Sequence, residues 1–286
     1  MIKNRVVAIG DFDGVHRGHQ EILRQLVAWA NELDAEPMVI SFIANTKGKK
    51  VITCPEIKEY YIQQCGIEQV RFLSFEQWKD VSAEDFAENF LKKECGVVGV
   101  LSGEDLHFGQ GRKGNEFTLL SHGIAVKKAE DQKIGEKRIS SSAIRSWLEK
   151  GDLARAEEAL GHPFALMGKV CRGKGLAHTF GLPTVNISIA EEQQLLPFGV
   201  YAARAEGRGQ RWKAVANIGV RPTVENTDHP NVEAHLLEET EDLYGEILRI
   251  EFKAFLRAEK KFCNTEELFL QIKKDGEQSK EVLEDQ

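Results

Sequence analysis

The stretch Gly10-Asp11-Phe12-Asp13-Gly14-Val15-His16-Arg17-Gly18-His19 constrains the chain more than any other. An apolar run, Arg5-Val6-Val7-Ala8-Ile9, leads into it, and beyond it Ile22, Leu23, Leu26, Val27, Ala30 and Leu33 recur at spacings of three and four. The pattern is a strand, a glycine-bounded turn and a helix with one buried stripe. A loop feeding a helix N-terminus turns backbone N–H groups and the positive end of the helix dipole toward its contents, so this turn predicts a phosphate cradle. His16 and His19, three apart, share a face of the first turn. An imidazole with an ordinary pKa of about 6.5 lends protons or positive charge to phosphate near neutrality.

The rest of the first half repeats the alternation. Glu36 to Phe42 reads as a second strand; helical patterns near Lys58 to Cys65 and Ala83 to Lys93 precede the apolar runs Gln69 to Leu73 and Val97 to Leu101. Alternating strands and helices predict an α/β domain with a doubly wound parallel sheet, whose ligands bind outside the carboxyl ends of the strands. The polar segment Ser102 to Gly109 falls at such an end. Further on, Ile139-Ser140-Ser141-Ser142-Ala143-Ile144-Arg145 precedes a helical run. Its serines suit helix caps, and hydroxyls, N–H groups and an Arg one turn in also make a second anion site.

A helix ending at Leu160-Gly161-His162-Pro163 marks a domain boundary, placed at residues 1–160 and 161–286. Beyond it come short strands, Phe164 to Val170, Thr184 to Ile189, Gly199 to Ala205, Lys213 to Ile218, Asn231 to Leu237 and Ile247 to Phe255, then a helix from Thr265 towards Val282. That order predicts a small antiparallel barrel with a closing helix. Gly168 to Lys174 has the spacing of a Walker A loop, but Gly175 stands where Ser or Thr must reach a metal and no helix follows, so the P-loop reading fails. If Thr184 begins a strand, Thr184 and Asn186 share one face while Val185 and Ile187 point inward. A hydroxyl and an amide oxygen side by side can hold Mg²⁺, with ATP and water supplying its other ligands. In Val232-Glu233-Ala234-His235-Leu236 the same alternation puts Glu233 and His235 on one face.

The Gly-x-Phe-Asp-Gly-x-His-x-Gly-His string resembles that of nucleotidyltransferases with a His-x-Gly-His helix start, most closely the bacterial bifunctional riboflavin kinase/FMN adenylyltransferase (FAD synthetase) family. The serine segment is similar to that family's Ile-Ser-Ser-Thr-x-Ile-Arg, with Ser142 where Thr is usual. Gly181-Leu182-Pro183-Thr184-Val185-Asn186 matches its Gly-x-Pro-Thr-x-Asn, and Leu196 to Tyr201, Asn217 to Thr223 and Leu243 to Gly245 have counterparts too. The resemblance implies phosphorylation of riboflavin to FMN by the second domain and adenylylation of FMN to FAD, with release of pyrophosphate, by the first. It implies ATP and Mg²⁺ in both reactions and riboflavin, FMN and ATP as partners. By the same resemblance Gly10, Asp11, Phe12, Gly14 and Gly18 cradle ATP phosphates, His16 and His19 offset transition-state charge, and Ser141, Ser142 and Arg145 hold the departing pyrophosphate. Asp105 and Phe108 contribute to the nucleotide and flavin site; Gly175, His178 and Thr179 bind ATP in the kinase, Thr184 and Asn186 hold its metal, and Glu233 is its general base.

Three positions depart from the family pattern. Phe42-Ile43-Ala44-Asn45 replaces Phe-x-Pro-His-Pro, and His107 and His178 stand where Arg is usual, each replacing a permanent charge by a mostly neutral ring. These departures leave open a member with one silent domain, the adenylyltransferase first, or a non-catalytic flavin or nucleotide sensor. A formal charge of −7 over 286 residues argues against a general nucleic-acid binder. Five scattered cysteines without metal-type spacing read as free thiols of a reducing compartment, and no apolar run reaches membrane-spanning length, so the expected setting is the cytoplasm. The sequence assigns no oligomeric state.

Overall fold

The strand β1 (Arg5–Gly10) and the helix α1 (Arg17–Glu32) flank the Gly10 to His19 turn. The structure is a computed structural model that describes residues 3–43, 50–103, 106–130, 133–134, 137–171, 183–220 and 230–284. Its chain divides into two compact units, residues 1–51 with 58–141, and residues 52–57 with 142–286.

In the first unit, β2 (Glu36–Ile43), the helix α2 (Pro55–Gln64), β3 (Gln69–Ser74), the short helices α3 (Phe75–Trp78) and α4 (Ala83–Asp85), β4 (Val97–Ser102), α5 (Glu116–Ser121) and β5 (Ala125–Lys128) follow in order. The five strands form one parallel sheet in the order β3-β2-β1-β4-β5. As the middle strand, β1 is covered on both faces, and Val6, Val7 and Ala8 are consecutive buried residues rather than an alternating set. The stripe on α1 is buried at Leu23, Leu26 and Ala30. Trp29 of the same helix lies over Gly99 of β4, where a Cβ would stand 2.8 Å from the indole, so the glycine is the notch that lets the helix approach the sheet.

The helix expected over Ala83 to Lys93 is mostly a wider one: after α4, residues Phe86–Glu94 wind with i→i+5 bonds, ending with Cys95 N–H on the Phe90 carbonyl at 2.9 Å. Trp78 packs against both Phe86 and Phe90 there, with ring centroids 5.6 and 4.3 Å away. The strand β5 and the helix α5 have no counterpart in the sequence reading. Strand β5 is a four-residue edge, Ala-Val-Lys-Lys, without an apolar run, and α5 is a six-residue helix started by an Asn115–Thr118 capping box. A two-stranded ribbon, β6 (Lys133–Ile134) with β7 (Lys137–Arg138), completes this unit.

The helix α6 (Ser141–Glu149) starts at the last residue of the first unit and, from Ser142 on, belongs with α7 (Leu153–Leu160) to the second. The strands β8 (Phe164–Cys171), β9 (Thr184–Ser188), β10 (Gly199–Gly207), β11 (Gln210–Val220), β12 (Pro230–Leu236) and β13 (Ile247–Arg257) close into an antiparallel barrel in the order β10-β11-β12-β9-β8-β13. Inward positions alternate as a pleated strand requires: Val185 and Ile187, Ala214, Ala216 and Ile218, and Val232, Ala234 and Leu236 are all buried. The helix α8 (Thr265–Glu284) is fastened outside, Asp275 accepting from the Arg257 guanidinium at 2.7 Å and Ser279 Oγ donating to the Ala214 carbonyl at 2.8 Å. Residues 168–171 continue strand β8, which excludes the Walker A reading directly. Gly168 is there because a Cβ would lie 2.0 Å from the Ser188 carbonyl oxygen on β9.

Candidate active sites

The first unit builds its site at the carboxyl end of β1. His16 is the N-cap of α1, its Nδ1 accepting from the His19 N–H at 3.3 Å, and the two rings stack with centroids 3.6 Å apart and planes 14° from parallel. Gly18 makes the stack possible, since a Cβ there would press on the His16 ring at 3.2 Å. Phe12 is buried, lies under the Cβ position of Gly10 and sets its ring 5.2 Å from His19, so it supports the turn from within. The backbone is left-handed at Phe12 (φ 48°), Gly14 (φ 84°) and Val15 (φ 38°). For Phe and the β-branched Val this is a strained conformation, of the kind that persists where surrounding contacts enforce it.

Those contacts are hydrogen bonds to the carbonyls of the turn. The Phe12 oxygen accepts from Val15 N–H at 3.0 Å and the Asp13 oxygen from Ser141 Oγ at 3.0 Å. The Asp11 oxygen accepts twice, from Ser41 Oγ at 3.0 Å and from Lys58 Nζ at 2.5 Å. Because a trans peptide sets each C=O opposite the following N–H, tying back these carbonyls fixes the peptide planes of the turn. Ser141 is thus brought to the turn. Ser142 and Arg145 belong to the second unit, where Arg145 Nη2 donates to Ser142 Oγ at 3.3 Å in the first turn of α6.

Lys58 and Ser41 were not among the expected site residues. Ser41 gives no signal within an apolar strand, and Lys58 none at the start of a helical pattern. Phe108 lies in the core of the first unit, buried against Phe86, with Gly114 tight on its ring. That burial makes Phe108 an anchor of the loop after β4. His107 is exposed. Asp105, Ala44 and Asn45, and in the second half Gly175, His178 and Thr179, lie outside the described residues.

In the second unit the site follows from register. Antiparallel pairing of β9 with β12 sets Asn186 opposite Glu233 and Thr184 opposite His235, and pairing of β11 with β12 sets Asn217 opposite Glu233. Five polar side chains from three strands therefore share the outer face, while their neighbours fill the barrel. Thr184 Oγ1 and His235 Nδ1 are 2.7 Å apart, and Asn231 Nδ2 donates to Asn186 Oδ1 at 3.3 Å. Burial pushes the His235 imidazole down to about 4, with the Asp275 carboxylate opposing it, so the ring is neutral at physiological pH. The donors at Thr184 and Asn186 are a hydroxyl and an amide oxygen, hard oxygens of the kind that fit a hard divalent cation.

Glu233 and His235 also line a cavity of about 220 Å³ together with Val200, Asn217, Arg257, Glu259, Phe262 and Asp275. Asn217 Nδ2 donates to Glu259 Oε1 at 3.0 Å, while its Oδ1 is buried without a hydrogen-bond partner among the described residues. A buried acceptor of that kind is costly unless a bound molecule supplies the donor.

Comparison with known proteins gives two family models in tandem, FAD synthetase over residues 1–143 and riboflavin kinase over residues 160–283. Relatives named bifunctional riboflavin kinase/FMN adenylyltransferase include that of Escherichia coli K12, 34% identical over 94% of this chain and 90% of its own. The Pseudomonas fluorescens protein is 36% identical over 94% and 90%, and the Bacillus subtilis protein 31% identical over 96% and 91%. A crystal structure described as the macrolide-efflux protein of Streptococcus pneumoniae superposes with a TM-score of 0.79 and 25% identity, covering 98% of this chain and 95% of that one. That likeness extends over both units, but no helix among the described residues is long and apolar enough to cross a membrane.

Proposed function

The chain belongs to the bifunctional riboflavin kinase/FMN adenylyltransferase family, and from that premise we propose which of its residues carry each reaction. The protein phosphorylates riboflavin to FMN and adenylylates FMN to FAD, with ATP as the donor in both steps. We assign the kinase to residues 161–286 and the adenylyltransferase to residues 1–160, in keeping with the order of the two matched family models. The relatives are named for both activities, and neither a silent domain nor a non-catalytic sensor gains support from them.

The observation that carries the kinase assignment is the barrel register, which sets Glu233 beside Asn186 and two residue pairs along from Thr184 and His235. Glu233 takes the proton from the terminal ribityl hydroxyl as its oxygen forms a bond to the γ phosphorus and the bond to the ADP oxygen breaks. Thr184 and Asn186 would hold Mg²⁺, which when bound offsets the charge of the transferring phosphoryl group. The flavin is assigned to the cleft that Asn217, Glu233 and His235 line.

In the adenylyltransferase an FMN phosphate oxygen attacks the α phosphorus of ATP and pyrophosphate leaves. His16 and His19 face the charge that builds on the phosphates, and the amides of the 10–14 turn receive them. Ser141 holds the turn at Asp13, and Phe108 enters the proposal as the buried anchor of the neighbouring loop. All five cysteines are free thiols, which supports a reducing, cytoplasmic setting.

A chromatographic time course with riboflavin, excess ATP and Mg²⁺ tests the assignment. The native chain should give FMN and then FAD; Glu233→Ala should stop at riboflavin, and His16→Ala should accumulate FMN. FAD from the His16 variant at the native rate would sink the first-domain assignment. FMN from the Glu233 variant at the native rate would sink the second.

A further inference from the structure

We propose that Lys58 and Ser41 are positioning residues of the adenylyl-transfer site, a reading that rests on assigning the 10–19 turn to ATP phosphates. The two side chains and the Asp11 carbonyl form a closed triangle. Lys58 Nζ is 2.5 Å from the Asp11 oxygen and 3.1 Å from Ser41 Oγ, and Ser41 Oγ is 3.0 Å from the same oxygen. Lys58 is 6% exposed and Ser41 wholly buried, so the triangle lies beneath the turn, away from solvent.

Two consequences follow from elementary geometry and electrostatics. In a trans planar peptide the Asp11 C=O and the Phe12 N–H point in opposite directions. Two donors drawing the oxygen down therefore turn the Phe12 N–H up, away from the amine and toward the open side of the turn. Phe12 holds φ 48°, which an L side chain rarely adopts, and the two bonds to the preceding carbonyl are among the contacts that keep it there. The second consequence is a lysine amine under a phosphate-binding turn that has no lysine of its own. Protonated, that amine is screened less than a charge in water and adds to the positive potential of the α1 N-terminus where triphosphate charge collects.

The residues come from 47 and 30 positions away in the chain, and the triangle exists only because β1 and β2 are neighbours in the sheet and Lys58 reaches their carboxyl ends. Lys58 Nζ donates to a carbonyl and a hydroxyl and stands 5.9 Å from the centre of the Phe72 ring, and its action on ATP passes through the turn.

The test is Lys58→Met in the full chain, assayed separately for riboflavin phosphorylation and for FAD formation from supplied FMN. The KM for ATP in FAD formation should rise about tenfold or more, the size of one charge-assisted hydrogen bond, with the KM for FMN unchanged and riboflavin phosphorylation at the native rate. Lys58→Ala should behave alike and recover part of its ATP affinity with added methylammonium, which a loss of packing would not. Ser41→Ala should show a smaller change of the same sign. A native ATP KM in Lys58→Met overturns the proposal. So does loss of both activities together with a lowered melting temperature, which would make Lys58 a residue of fold stability. Absence of FAD formation by the native chain would instead remove the function on which the proposal rests.

Discussion

Thr184 and His235 stand 51 residues apart and share a 2.7 Å hydrogen bond. Alternation along each strand was legible in the sequence, so both were expected on an outer face; that the two faces are one face, and that burial keeps the imidazole neutral, was not. Burial changes chemistry in the same way at Cys54, whose thiol is pushed up to about 12, with the neighbouring Glu56 adding to the effect. A thiol with that pKa is about one part in a thousand thiolate at pH 9, whereas an unfolded cysteine near 8.5 is mostly thiolate. The folded state keeps the proton that the unfolded chain gives up, so the contribution of this group to stability is whole below about pH 8.5 and shrinks as pH rises toward 12. Iodoacetamide at pH 9, followed by peptide mass spectrometry, should modify the exposed Cys171 and leave Cys54 intact until urea unfolds the chain. Equal rates at the two cysteines would mean that the Cys54 thiol is not held in its buried place.

Elements are where local pattern and long-range packing meet, and β8 shows how they differ. Its Gly-x-x-x-x-Gly-Lys spacing imitates a phosphate loop, but the glycine at 168 serves a strand crossing. The Ser188 carbonyl of β9 occupies the space a side chain would need, at 2.0 Å from an ideal Cβ, with Ile187 Cγ2 at 2.8 Å. Backbone cannot yield as the end of a flexible side chain can, so Gly168→Ala should part β8 from β9 at a cost of about 3 kcal/mol or more, in the upper range for overpacking. The expected result is a melting temperature lower by several degrees and a weakened kinase, measured by differential scanning calorimetry beside riboflavin turnover. An unchanged melting temperature would show that the crossing has slack. The helix after α4 shows the converse: its apolar spacing is that of an ordinary helix, and the i→i+5 winding at Phe86–Glu94 leaves no mark in it because side-chain periodicity carries little information about which carbonyl an amide selects.

At the scale of the whole molecule, two compact units each carry a candidate site assembled from their own strands, and FMN is the product of one and the substrate of the other. Two chains disabled at different sites should therefore complement one another: Glu233→Gln mixed with His16→Ala should convert riboflavin to FAD while neither variant does so alone, with a lag that shortens as protein concentration rises. No FAD from the mixture, with each variant retaining its other activity, would show that FMN does not pass through solution. The sequence by itself determined the order of strands and helices, the parallel sheet followed by a barrel, and the strings at Gly10 to His19, Thr184 to Asn186 and Glu233, because periodicity and turn chemistry are local properties of the chain. Only the tertiary structure decided which residues from separate strings meet: Glu233 with Asn186 and Asn217 through barrel register, Ser141 with the Asp13 carbonyl, and Lys58 and Ser41 under Asp11. Those meetings depend on which strands become neighbours and in what register, a choice made by the burial of the whole core and written in no single stretch of residues.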